Sequence, residues 1–254
     1  MCGRFSTTAG LDSLLELLGV DGAGTPLAEI IEARANIAPS EPIAVVANRP
    51  ADAAHPRQVE LFDWGLVPFW TKPTGAKGPR PFNIRAESLL ERPGFHSLIA
   101  RHRAIVPVAG FYEWKKPPAG AKNAKKTPYF IRRADGTPMA LAAVWETRKD
   151  AETGARLHSC AIVTTEPNEE VREIHDRMPV ILEPRDFERW LAANEVEPAA
   201  LRDVLRAPPD GALVSERLET SPGAAPKRAA ATKQLGLFAD APFTSRKGSR
   251  YSRP

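Results

Sequence analysis

Apolar residues fall in this chain mostly as short unbroken runs, separated by Gly, Pro and charged turns. Residues 43–46, 103–108, 110–114, 128–133, 139–145 and 157–164 each read as strands, and 213–218 as a closing one. Residues 59–70 form an aromatic-rich run, predicted as a strand that leads into an exposed lip at Trp64, Pro68, Phe69 and Trp70, with simple core as the alternative and the better one for Trp64. Helical spacing is rarer. Leu11, Leu14, Leu15 and Leu18 share one helix face, with Ser6, Thr7 and Thr8 as N-caps and Gly19 as the stop. A second short helix is expected within 20–35. Another opens at 82–87 and breaks near Pro93-Gly94, and one runs from 165 to near His175. Amphipathic helices are expected over 184–193 and 198–206. So many short strands predict an α+β domain with a β-rich core and flanking helices.

That pattern stops at about residue 220. From Ser221 the chain is Ala, Pro, Lys, Arg and Ser, a composition that cannot bury a core. The division expected is a domain over 1–220 and a basic disordered tail over 221–254. Net charge is +4, but its placement says more. The tail carries about +6, and residues 72–133 hold 14 Lys/Arg against Glu87, Glu91 and Glu113. A localised basic segment suits a polyanion surface, although a solvated loop face accounts for part of it. No apolar run is long enough for a membrane helix, and no signal peptide follows Arg4. Cys2 and Cys160 give no disulfide framework and, with the five His, no metal-ligand spacing. A reducing, cytoplasmic setting is expected, with no cofactor and no metal.

The chemistry starts at Cys2. The residue after the initiator is small, so Met1 is expected to be removed, placing a free α-amine and a thiol on one residue. Their reference pKa values are about 8 and about 8.5, so a fraction of each is nucleophilic near neutrality. A 1,2-aminothiol condenses with an aldehyde to an imine and then closes a thiazolidine; the bland alternative is a small buried hydrophobe. Asn83 and Arg85 alternate on an extended segment and share a face, where amide and guanidinium suit a sugar-phosphate or a helix-start network equally. Glu113 sits inside an apolar strand, at a sheet surface or in a pocket suited to proton transfer. His175, in His-Asp-Arg before an apolar run, is suited to the same work or to a cap. The tail holds one apolar island, Gln234-Leu235-Gly236-Leu237-Phe238. It resembles the pentapeptide with which bacterial proteins dock on the replication sliding clamp; folding back on the core is the alternative.

Taken in order, residues 1–5, 36–39, 64–68, 82–87, 110–114, 164–165 and 175–179 resemble the SRAP family, the SOS-response-associated peptidase-like, abasic-site-processing proteins. The resemblance covers about residues 2–220. It implies a single domain on a barrel-like, mainly antiparallel β core, binding to abasic sites in single-stranded DNA, and a covalent link through Cys2. It marks Cys2, Asn83, Glu113 and His175 as catalytic, and Arg4, Trp64, Arg85, Trp114, Thr164 and Arg177 as lining the DNA groove. It also implies possible lyase or self-peptidase activity, a place in the DNA damage response near the nucleoid, and a monomer. Two rival readings remain: an N-terminal-nucleophile amidohydrolase, and a noncovalent single-strand-binding module.

Overall fold

The computed structural model describes residues 2–7, 11–20, 34–49, 57–68, 80–118, 120, 124–149, 154 and 156–223. Five strands close a barrel: β2 (Pro42–Ala47), β3 (Val59–Trp64), β5 (Arg103–Val108), β8 (Met139–Lys149) and β9 (Arg156–Thr165). Their order is β9-β3-β2-β5-β8, and β8 pairs back on β9. The β3–β9 pair is parallel and the others are antiparallel. A second sheet of β1 (Arg4–Ser6), β6 (Gly110–Lys115), β7 (Thr127–Arg133) and β12 (Leu213–Arg217) stands beside the barrel. The α+β expectation holds.

The unbroken apolar runs have a simple cause: the barrel wall is buried on both faces. Val106, Ala143 and Ile162 point inward with Phe62 and Trp64. Ile105, Ala142 and Ala161 point outward, beneath helices α1 (Leu11–Leu17), α2 (Ala86–Glu91), α3 (Pro93–Arg101) and the short α5 (Phe187–Trp190). Pairing directions set the ends of the barrel. At one end β3, β5 and β9 finish and β2 and β8 begin. At the far end Trp145 and Phe62 pack with His102 and His158, and Arg49 lies 5.0 Å over the Trp145 ring. Burial, with Arg49 and Arg156 nearby, pushes His158 down to about 4, so this ring stays neutral at physiological pH.

Beyond the Ala143–Ile162 pair, β8 and β9 part company. Residues 178–182 wedge between them as β10 (Met178–Pro179) on β9 and β11 (Ile181–Leu182) on β8. Val180 joins both walls: its N–H donates to Val163 O and its carbonyl accepts from the Ala142 N–H. On the opposite edge β9 outruns β3 and takes a parallel partner, β4 (Asn83–Arg85). The overhang of β9 is therefore flanked by two new strands at one end of the barrel.

Several local expectations need correction. The strand beginning at Val59 ends at Trp64, which is fully buried; Phe69 and Trp70 lie outside the described residues. Ser6 belongs to β1 and does not cap a helix, and Thr7 Oγ1 accepts from the Arg34 N–H at 3.1 Å. Residues 184–193 fold as a 3-10 turn (Pro184–Asp186) and α5, and 198–206 hold only a 3-10 turn at Pro198–Leu201. These stretches are tied down by tertiary contacts, not by helical length. The helix before His175 is one turn, α4 (Glu169–Arg172), with Asn168 Oδ1 accepting from the Val171 N–H.

The basic segment also loses a charge to the interior. Arg103 is fully buried. Its guanidinium donates to the carbonyls of Trp190 (2.8 Å), Ile99 (2.9 Å), Asn194 (3.1 Å), Ala100 and Ala192. It satisfies the C-terminus of α3 and the chain after α5 at once, clamping both to β5. Lys has three rotatable donors on a point charge and cannot reproduce this fork. Arg103→Lys should lower the unfolding free energy by about 2–4 kcal/mol in a denaturant titration.

Candidate active site

Cys2 lies fully buried at the barrel end marked by the β9 overhang, where β1 pairs with β6. Its carbonyl accepts from Asn83 Nδ2 at 2.7 Å. The β4 alternation explains this contact: Ile84 faces the outer core, so Asn83 and Arg85 share the other face. Asn83 is half-buried and Arg85 exposed. The Asn83 Oδ1 is buried and has no hydrogen-bond partner among the described residues, which leaves one acceptor at the site open.

Glu113 is buried on β6, 3% exposed. Burial first, and the Glu113 carboxylate second, push the Cys2 thiol far above its ordinary value. This corrects an expectation. The thiol is not partly ionised at neutral pH but held as S–H, and any attack by sulfur must hand that proton on. Burial and Asp63 raise the Cys160 thiol in the same way.

The loop before β10 carries His175 and Arg177. Arg177 grips Glu87 with both ends of its guanidinium, Nη1–Oε1 2.8 Å and Nη2–Oε2 2.9 Å, and Nη2 also donates to Thr164 O at 2.7 Å. That bond from Arg177 holds the Glu87 carboxyl below its ordinary pKa. His175 Nδ1 accepts the Arg177 backbone N–H at 3.0 Å. Thr164 is opposite Arg85 in the β4–β9 register. Loop, β9 and β4 thus meet around one strand end.

A third group rims the site. Arg4 Nη1 donates to Asn36 Oδ1 at 3.0 Å, and Asn36 Nδ2 donates to the carbonyls of Pro222 (3.3 Å) and Gly223. Half-buried Trp114 donates from Nε1 to Ser221 Oγ at 3.1 Å. Arg4 thus orients Asn36, and the chain's own residues 221–223 supply the acceptors for Asn36 and Trp114.

Residues 1–222 match the family model described as SOS response associated peptidase (SRAP). The chain belongs to the SRAP family. It is 35% identical over 206 residues to the abasic site processing protein YoqW of Bacillus subtilis, covering 81% of this chain and 87% of that one. It is 32% identical over 193 residues to the abasic site processing protein YedK of Escherichia coli, covering 75% and 79%. A solved structure of a Bacteroides thetaiotaomicron protein shares the fold, with TM-score 0.72 at 24% identity over 85% of this chain and 92% of that one.

Within this SRAP chain the expected site residues separate into groups. Cys2 and Asn83 touch directly, and Glu113 acts on Cys2 through its charge. His175, Arg177 and Thr164 are linked through the loop and β9, with Arg85 alongside. Arg4 and Trp114 sit on the rim. Trp64 follows the core reading and not the groove position that the resemblance implied: it is 0% exposed. It packs on Phe5 at 4.9 Å and donates from Nε1 to Phe82 O at 2.8 Å, so it is the floor joining β1 to β4. Thr164 is also 0% exposed, and its carbonyl holds the loop from within. Sequence reasoning passed over Asn36 and Glu87 as site residues, although both stood inside matched motifs. Their partners, Arg4 and Arg177, are distant in sequence, and nothing local announces either pair.

Cys160, fully buried and with its thiol raised, should resist chemistry. In the folded protein it is not expected to react appreciably with an aromatic disulfide reagent in the time that it reacts after unfolding. Release of one equivalent of chromophore from native Cys2→Ala protein would show Cys160 to be accessible.

Proposed function

We propose that this SRAP protein captures abasic sites in single-stranded DNA by forming a thiazolidine through Cys2 once Met1 has been removed. The observation that carries the reading is the Asn83–Cys2 bond beside buried Glu113, which fixes a residue that would become the N-terminus next to a proton carrier. The curated relatives named as abasic site processing proteins support the same substrate.

The chemistry balances without a cofactor. The sugar opens to its aldehyde, assisted by His175. The Cys2 amine adds to C1′, and the carbinolamine loses water with Glu113 carrying protons. The thiol then adds across the resulting C=N: sulfur bonds to carbon and its proton ends on nitrogen. Because the thiol is held as S–H, sulfur must give up its proton as it attacks, and Glu113 beside it is the group that takes this proton and passes it to nitrogen. Two bonds to C1′ resist hydrolysis better than an imine and prevent the β-elimination that an imine promotes, so the strand is shielded from breakage. Asn83 and Arg85 hold the sugar-phosphate near attack distance, and the donors on the rim take phosphate oxygens. Slow self-release by reversal of these steps, lyase activity from the open imine, and self-processing at Met1 belong to the same proposal, as does service in the DNA damage response at the nucleoid.

Cys2→Ala should abolish adducts on an abasic oligonucleotide in denaturing gels while salt-sensitive binding persists. Glu113→Gln should slow adduct formation about a hundredfold with smaller loss of binding. Adducts at normal yield from Cys2→Ala would end the proposal.

Residues Gln234, Leu235, Leu237 and Phe238 lie outside the described residues. We propose them as a docking peptide for the replication sliding clamp, Leu and Phe filling apolar pockets and Gln orienting the chain. Deleting 234–238 should reduce clamp pull-down about tenfold or more while adduct formation stays at the parental rate; undiminished pull-down would refute the assignment.

A further inference from the structure

We propose that Glu87 is a positioning residue which, acting through Arg177, sets the tautomer of His175. The inference rests on the reading above that His175 assists opening of the sugar. Glu87 stands in the first turn of α2, immediately after β4, and reaches across to the loop before β10. Its two oxygens meet both Nη atoms of Arg177, whose side chain is 12% exposed. The third anchor is Thr164 O on β9. A guanidinium held at three points has no freedom to rotate, so the peptide N–H of Arg177 is fixed as well. That N–H donates to His175 Nδ1 at 3.0 Å.

The consequence is chemical. An Nδ1 that accepts a hydrogen bond carries no proton, so the neutral ring carries its proton on Nε2. In this form His175 gives a hydrogen bond from Nε2 and does not act as a base there. It is suited to an oxygen that gains negative charge, as the departing ring oxygen of the sugar does when the aldehyde forms. The same Nδ1 meets a second partner: Asp176 Oδ1 is 2.9 Å from it, on a side chain that is 88% exposed. The peptide N–H favours a bare Nδ1 and the exposed carboxylate a protonated one, so the two compete for this atom. Asp176 is the partner of a protonated Nδ1. Releasing Arg177 from Glu87 loosens the peptide N–H and hands Nδ1 to Asp176. The neutral ring then carries its proton on Nδ1, and Nε2 turns from donor to acceptor. Glu87 decides between the two from a distance, touching neither ring nor DNA.

The experiment uses the full chain and two readouts. The first is nitrogen NMR of histidine-labelled protein, with His175 assigned by a His175→Asn variant. Wild type should show a protonated Nε2 and a bare Nδ1, and Glu87→Gln a mixture or the reverse. The second is the rate of adduct formation against concentration of an abasic oligonucleotide. Glu87→Gln should lower the maximal rate about tenfold at an unchanged half-saturating concentration, and Arg177→Lys should do the same. Glu87→Asp, which keeps a carboxylate, should recover part of the rate. A wild-type His175 spectrum in Glu87→Gln overturns the inference, and so does a changed half-saturation with unchanged maximal rate, which would make the pair a DNA contact. Should wild type form no adduct at all while the tautomer still shifts, the functional reading falls and the positioning role stands.

Discussion

The molecule depends on the way β9 outruns its barrel. Within the wall its edges are filled by β8 and β3. Past the wall both partners leave, and bare backbone N–H and C=O groups would be stranded in an apolar setting. Leaving such groups unpaired costs about 1–3 kcal/mol each. The chain meets this demand with β4 on one edge and β10 on the other, and with Val180 bridging the gap to β8. Asn83 and Arg85 arrive because β4 is needed as a partner. His175 and Arg177 arrive because β10 is needed. The site is assembled by hydrogen-bond satisfaction at a strand end, which is why residues from distant parts of the chain meet there.

This origin explains the division of labour among the aromatics. Trp64 ends β3 where β4 takes over, so its ring fills the space under the transition and its N–H reaches Phe82 O. Its value is to hold the strand of Cys2 and the strand of Asn83 over a common floor. Trp114, one residue beyond Glu113 on β6, alternates to the other face and gives its N–H to Ser221 Oγ at the rim. Two tryptophans in similar aromatic contexts thus serve opposite purposes, decided by which side of a strand they occupy.

Residue chemistry made part of this readable in advance. Strands came through because apolar runs bounded by Gly and Pro have few other interpretations. Cys2, Asn83, Glu113 and His175 stood out because amine-thiol, amide, buried carboxyl and imidazole are uncommon companions to apolar strands. What failed to come through depends on tertiary neighbours. Trp64 could be lip or floor until the strand end was placed. Arg103 counted as surface charge because carbonyls offered from Ile99 to Asn194 leave no trace in sequence composition. The helices near 184–206 were overestimated because amphipathic spacing survives in 3-10 turns too short to propagate. Ionisation of Cys2 was misjudged because model-compound values ignore a fully buried setting beside a carboxylate.

The contact of Ser221, Pro222 and Gly223 with Trp114 and Asn36 has a consequence for anything that approaches those two side chains. Their N–H groups are already spoken for by the chain itself, through one hydroxyl and two carbonyls. A ligand that sought the same donors would first have to evict residues 221–223, so part of its binding energy would go into that exchange.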